Sequence, residues 1–294
     1  MPYIFDEINH INWSAPWHAH LQENILTPQF YKIKQSDDSQ KLSLAATLNQ
    51  LLSTHKSILT GADKPAKFIT QAYFDSLPNT QAYEAHIAKT GQIPTRDNLH
   101  DLFNAWIWFT FPKTKAMLNR YQSLQIARDG ISNARGRVRD AITIFDECGA
   151  IFVTSEESIA QALKNFDWQH CLVKSRDTWD NPLKLHTIKN ANSSVYIFGH
   201  ATLEQLVEPR KPICSHCKIV LVEADFFKLT MTERMCYLDK RLTIEVAEWL
   251  EKDNVQPRDL SPLPILGIPH FWDENKNAEF YEDAFVFRSG RRKK

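Results

Sequence analysis

The chain reads as an α+β protein, a helix-rich N-terminal half packed on a small mixed sheet from the C-terminal half, and three observations predict it. Apolar residues recur at helical spacing from Leu42 to Ala127. From Gly149 the period changes, and short apolar runs rich in Val, Ile and Phe follow. Only 8 of 294 residues are glycine, against about 7% in ordinary usage. No G-x-G-x-x-G or G-x-x-x-x-G-K-[ST] pattern occurs, which excludes dinucleotide and phosphate-loop folds.

The first 40 residues are aromatic and irregular, with Trp13, Pro16, Trp17 and Phe30 among His10, His18 and His20. After the polar break at 35–40, Leu42, Leu44, Leu48, Leu51 and Leu52 mark a helix that Gly61 and Pro65 close. Residues 66–90 predict one or two short helices, Phe68–Phe74 and Ala82–Ala88. Pro94-Thr95 opens a longer helix with Thr95 as N-cap, and Leu99, Leu102, Phe103, Trp106, Ile107 and Phe109 carry it to Pro112. A second helix, Thr114–Ala127, ends before Gly130. A cationic connection over 132–139 leads to a short apolar element, Ala141–Phe145.

In the second half, Ala150–Thr154 reads as a buried strand, and Thr154-Ser-Glu-Glu157 as a capping box opening a helix to Phe166. Cys171–Lys174, Val195–Phe198 and Lys218–Glu223 are further strand candidates, with a helix over His200–Val207 among them. Thr230-Met-Thr-Glu233 is a second capping box, ahead of an amphipathic helix to Lys252. Pro257, Pro262, Pro264 and Pro269 precede a strand-like run, Ala284–Arg288. The expected organisation is one compact domain over 1–290, helical over 41–147 and α/β over 148–288, with a basic frayed tail at 289–294.

Thirty-five basic residues balance 35 acidic ones, and the pI near 7.2 provides no global field for nucleic acid or anionic membrane, so neither is an expected partner. No apolar run approaches the roughly 20 residues of a membrane span. The N-terminus carries acids where a signal peptide would be apolar, so the expected location is the cytoplasm. Five cysteines in such a chain argue against a disulfide framework. A homo-oligomer stays open.

Gly91-Gln-Ile-Pro-Thr-Arg-Asp-Asn-Leu-His-Asp-Leu-Phe-Asn-Ala105 resembles a proteobacterial domain-of-unknown-function family, number three-zero-two-five. Further blocks match in order: Phe111-Pro-Lys-Thr-Lys115 with Leu118-Asn119, Arg139-Asp-Ala141 with Phe145-Asp-Glu147 and Gly149-Ala150, Phe198-Gly-His200, and Pro264-Ile-Leu-Gly-Ile-Pro269. The resemblance spans roughly residues 45–288 and implies no mechanism. One departure is Tyr121-Gln122, where family members carry a His shortly after the Leu-Asn pair.

Three polar blocks are candidates for chemistry. In the first, His100, Asn104 and Trp108 share one helical stripe and Asp97, Asp101 and Asn104 an adjoining one, so His would serve as proton shuttle or metal ligand with Asp orienting it. The plainer reading has the acids complementing a helix dipole. In the second, Arg135, Arg137 and Arg139, with Lys113 and Lys115, would form an anion pocket or an ion-pair network with Asp140, Asp146 and Glu147. In the third, Gly199 permits a strand-to-helix turn and puts His200 and Glu204 on one face, for a ligand pair or a packed His.

The leading expectation is a metal-dependent hydrolase acting on an anionic or phosphate-containing small molecule. His100, Asp101, Asp146 and His200 would be catalytic, and Arg96, Asn104, Lys115, Arg135 and Arg139 would bind substrate. Asp101, Asp146, Glu147 and His200 would hold Mg²⁺, Mn²⁺ or Zn²⁺. The alternative is a non-catalytic binding or assembly protein whose polar blocks are structural. Cys214-Ser-His-Cys217 would be half of a zinc site that His170, Cys171 and Cys236 would have to complete. No G-x-S-x-G elbow or triad context is present.

Overall fold

A computed structural model describes residues 4–22, 42–54, 57–78, 82–130 and 136–291. The chain is α+β and divides into two compact units. One comprises Met1–Ile11, Leu21–Thr143 and Met235–Pro257, the other Asn12–His20, Ile144–Arg234 and Arg258–Lys294. In chain order the elements are α1 (Ile4–Asn9), α2 (Leu44–Leu52), β1 (Lys67–Thr70), α3 (Gln71–Asp75), α4 (Tyr83–Thr90), β2 (Gln92–Thr95), α5 (Leu99–Thr110), α6 (Pro112–Asp129) and α7 (Arg137–Cys148). They continue with β3 (Gly149–Thr154), α8 (Glu157–Lys164), β4 (Ser193–Ile197), α9 (His200–Gln205), β5 (Cys214–Leu221), α10 (Met231–Leu250) and β6 (Ser261–Pro264).

The first unit is helical around α5, whose Leu102, Phe103, Trp106 and Ile107 are fully buried. Asn98, not Thr95, caps α5: its side chain accepts from the Asp101 amide at 2.8 Å. Thr95 instead ends β2, which pairs in parallel with β1 in the register Lys67↔Gln92 to Thr70↔Thr95. The expected helix over Phe68–Phe74 is therefore strand as far as Thr70 and helix only from Gln71. Pro112 opens α6 at a position where a missing N–H costs nothing. Asp239 of α10 takes the orphan donors there, accepting from the Lys113 and Thr114 amides at 3.1 and 2.8 Å.

The second unit is built on a four-stranded sheet in the order β4-β3-β5-β6. β3 pairs antiparallel with β4 and parallel with β5, and β5 pairs antiparallel with β6. Every residue of β3 and β4 is buried, which is why β3 reads as one unbroken apolar run. The element expected over Ala141–Phe145 is the middle of the longer helix α7. Thr154 forms no capping box with Glu157; its hydroxyl accepts from the Glu156 amide at 3.1 Å, and α8 begins after Glu156 without a side-chain cap. The Thr230/Glu233 box does form, with the Thr230 amide donating to the Glu233 carboxylate at 2.9 Å.

Two expected strands are absent. Gln169–Lys174 is a π-helix, held by the Trp179 indole donating to the Cys171 carbonyl at 2.8 Å. Ala284–Arg288 is a turn gathered by Asp283, whose carbonyl accepts from the Val286 and Phe287 amides. The Pro264–Pro269 segment is clamped by buried Asn275, which donates to the Leu266 and Ile268 carbonyls at 2.8 and 2.7 Å and accepts from Arg176 at 2.7 Å. Residues 292–294 of the expected tail lie outside the described residues.

Candidate functional site

The strongest grouping of reactive side chains within one unit lies where α7 runs into β3 and β4 runs into α9. Two glycines make this corner. At Gly149 a Cβ would stand 2.2 Å from the Phe145 carbonyl oxygen, and at Gly199 a Cβ would stand 2.5 Å from both the Glu147 carbonyl oxygen and the Gly149 nitrogen. Gly199 has an ordinary φ of −67°, so it is required for space, not for backbone freedom. The Gly149 carbonyl accepts from both the Phe198 and Gly199 amides, at 3.0 and 2.7 Å. Phe145 and Phe198 stack beneath, centroids 4.7 Å apart and planes 17° apart, an arrangement that contributes about 0.5–1.5 kcal/mol beyond burial.

This clasp brings the last turn of α7 against the first residue of α9. His200 is buried, with Glu147 Oε2 at 3.3 Å from its Nε2 and Asp146 Oδ2 at 3.9 Å from its Nδ1. The two carboxylates keep partial solvent access, with 37% and 19% of their side chains exposed. Two oxygen donors thus flank the two nitrogens of one imidazole, and one edge of the cluster is open. Ligands on a tetrahedral ion bound at about 2.1 Å stand about 3.4 Å apart, so the Glu147–His200 spacing suits a shared cation without rearrangement.

In the first unit the same residue types close on one another. Asp101 accepts from the Arg96 amide at 2.6 Å and from its Nε and Nη2 at 3.1 and 2.9 Å. Asp97 accepts from the Leu44 amide at the start of α2, 2.7 Å away. Lys115 is buried, donates to Asn104 at 2.9 Å and lies 5.4 Å from the Trp108 ring centroid. His100 is the half-buried second residue of α5. Arg139 lies on α7 with its Nε buried and without a hydrogen-bond partner among the described residues. Arg135 lies outside the described residues. Arg96 is thus brought to Asp101, Asn104 to Lys115, and Asp146 and Glu147 to His200.

The half zinc site does not assemble. Cys214 and Cys217 are three apart on β5, so their side chains alternate faces, one exposed and one buried. Desolvation of its sulfur pushes the Cys214 thiol up to about 11, and burial holds the Cys217 thiol well above its ordinary value. Among the described residues no cysteine joins three ligand atoms close enough to share an ion.

Sequence reasoning missed the most buried charge of the second unit. Arg234, fully buried on α10, pairs with Asp180 and donates to the Tyr196 hydroxyl at 3.1 Å and to the Phe227 and Leu229 carbonyls at 2.6 and 3.1 Å. Burial pushes the Tyr196 phenol up. Nearby, His20 donates from Nε2 to the Ile197 carbonyl at 2.8 Å and meets the Tyr196 ring edge-on. The only sequence signal was an Arg directly after a capping box.

Fold and site define an α+β protein with a carboxylate-flanked histidine at a glycine-locked corner of its sheet. A family model described as Protein of unknown function (DUF3025) matches residues 66–291, and the chain belongs to that family. No curated protein and no solved structure matches the chain. No helix among the described residues is long and apolar enough to cross a membrane.

Proposed function

We propose that the chain is a cytoplasmic, metal-dependent hydrolase of an anionic or phosphate-containing small molecule, with His200, Glu147 and Asp146 at its centre. One observation carries this reading: a buried imidazole held between two half-open carboxylates by two glycines that admit no side chain. A mixed nitrogen and carboxylate donor set suits Zn²⁺ or Mn²⁺ better than Mg²⁺. Such an ion polarises a phosphoester oxygen and acidifies a bound water. Glu147 and His200 supply donor atoms, and Asp146 sets a negative charge on the far side of the ring. In the hydrolysis, water oxygen bonds to phosphorus, the ester P–O bond breaks, and the alcohol leaves with the proton that water gave up. His100, Asp101, Arg139, Arg135 and Lys115 enter the proposal on their sequence blocks, as residues whose substitution lowers the same activity.

Calorimetric titration of chelator-treated protein with Zn²⁺ or Mn²⁺ tests the reading, alongside turnover of p-nitrophenyl phosphate and its diester. One equivalent is expected to bind, with affinity falling at least about tenfold in Glu147→Gln and His200→Gln. Binding that both variants retain, or no binding by the unaltered chain, sinks the metal reading.

A further inference from the structure

We propose that the second unit carries a separate pocket for a planar aromatic anion, a flat ring bearing a carboxylate or a phosphate. A cavity of ≈ 820 Å³ is lined by Phe166, Trp168 and Phe285 and by Arg258, Arg288 and Arg291. That volume is of the order of small-molecule sites, typically about 300–1,000 Å³. The remaining wall is largely proline, rigid and apolar, with the exposed Cys214 at its side.

The charge of this cavity is one-sided. Among the described residues none of its three arginines has a carboxylate within salt-bridge distance. Arg288 spends one donor, Nε, on the Phe285 carbonyl, and Arg291 spends one, Nη2, on the Leu260 carbonyl, each at 2.9 Å. The other donors of both forks make no hydrogen bond among the described residues. Arg288 lies over the Phe285 ring at 5.1 Å and Arg291 over the Phe166 ring at 5.9 Å, and guanidinium groups without a carboxylate partner among the described residues, set around a concave apolar wall, focus a positive potential and match planar oxyanions.

The aromatic wall is held in place at a conformational cost. Helix α8 ends in a Schellman closure, with the Asp167 amide donating to the Ala162 carbonyl at 2.9 Å and the Phe166 amide to the Leu163 carbonyl at 3.2 Å. The left-handed position of that closure ordinarily holds glycine, yet Phe166 occupies it at φ +61°. Its ring stands edge-on to Trp168, 5.7 Å and 85°. Trp168 is itself fixed, donating its indole N–H to the Arg288 carbonyl at 2.6 Å and meeting Phe287 edge-on at 6.1 Å. A strained backbone that holds an aromatic ring at a cavity edge points to use of the ring.

Titration of the full chain with 1-naphthyl phosphate, 1-naphthoate, 1-naphthol and inorganic phosphate tests the proposal. At least one aromatic anion is expected to bind saturably, with 1-naphthol and inorganic phosphate at least about tenfold weaker. Preference for the phosphate or for the carboxylate identifies which oxyanion the arginines fit. The double variant Arg258→Glu, Arg288→Glu is expected to weaken binding at least about tenfold. Phe166→Gly relieves the left-handed strain and so keeps the fold, yet is expected to weaken binding about fivefold. In a Cys236→Ser background, saturating ligand should slow maleimide labelling of Cys214. Equal binding of 1-naphthol, unaltered binding by the variants, no saturable binding, or displacement by oligothymidylate at lower concentration than by the naphthyl anions overturns the proposal.

Discussion

Two polar centres meet at strand β4 of the second unit, and they differ in how completely they are closed. Asp180, Arg234, Tyr196 and His20 are all nearly inaccessible; Arg234 reaches Asp180, Tyr196 and the Phe227 carbonyl, and His20 the Ile197 carbonyl. Asp146, Glu147 and His200 include an equally buried imidazole, yet the carboxylates reach solvent and approach the ring at 3.3 and 3.9 Å. Burial of a histidine therefore does not distinguish structure from chemistry. The partners do: a carbonyl acceptor sets His20 as an Nε2 donor while burial keeps its ring neutral, whereas two partly exposed carboxylates leave His200 able to share a cation.

The largest expected effect separates the two centres by stability. Removing Arg234 strands the buried Asp180 carboxylate, and breaking such a pair costs about 3–5 kcal/mol. Arg234→Met is expected to lose that much in guanidinium chloride denaturation, and adding Asp180→Asn should restore part of it. If Arg234→Met is as stable as the unaltered chain, the closed centre is not structural.

A pH dependence sharpens the same contrast. Burial pushes His20 down to about 3, opposed by its bond to the Ile197 carbonyl, and burial pushes His18 down to about 4. Unfolded chains bind these protons near pH 6.5, whereas the folded chain does not until the lowered values. Stability is therefore full above pH 6.5 and lost as pH falls, by up to about 1.4 kcal/mol per pH unit for each group. His20→Asn should flatten the decline measured between pH 6.5 and 5, and an unchanged slope would show that His20 is already protonated in the folded state.

The corner itself is tested by Gly199→Ala. The added methyl meets backbone on three sides within 2.6 Å, so an overpacking cost of about 1–3 kcal/mol is expected. Metal binding should fall with it, because the displaced backbone carries Glu147 and His200. A variant that keeps full affinity would detach the site from the clasp.

Much of this corner was legible in the sequence. Gly149 and Gly199 stand beside acids and a histidine, and β3, β4 and β5 announce themselves as short apolar runs. What was not legible depends on partners distant in sequence. β1 and β2 are four residues each and exist because they pair across 25 positions, and Cys171–Lys174 is too short an apolar run to choose between strand and helix by itself. The spacing around Asp101 does not announce the three-point grip of Arg96, which appears only in the folded chain. The Arg234–Asp180 pair, 54 positions apart, leaves no local trace.

The smallest expected effect is the sharpest test of openness. Asp146 Oδ2 lies 3.9 Å from His200 Nδ1, beyond hydrogen-bond distance, so what it offers the ring is charge. Asp146→Asn keeps its shape and removes its charge. Affinity for Zn²⁺ or Mn²⁺ is expected to drop less than in Glu147→Gln, whose oxygen is the nearer donor, and the loss of unfolding free energy is expected to be smaller than in Arg234→Met. A loss as large as in Arg234→Met would place Asp146 in a closed network like that of Asp180. The two centres would then be alike, and His200 would be a structural histidine.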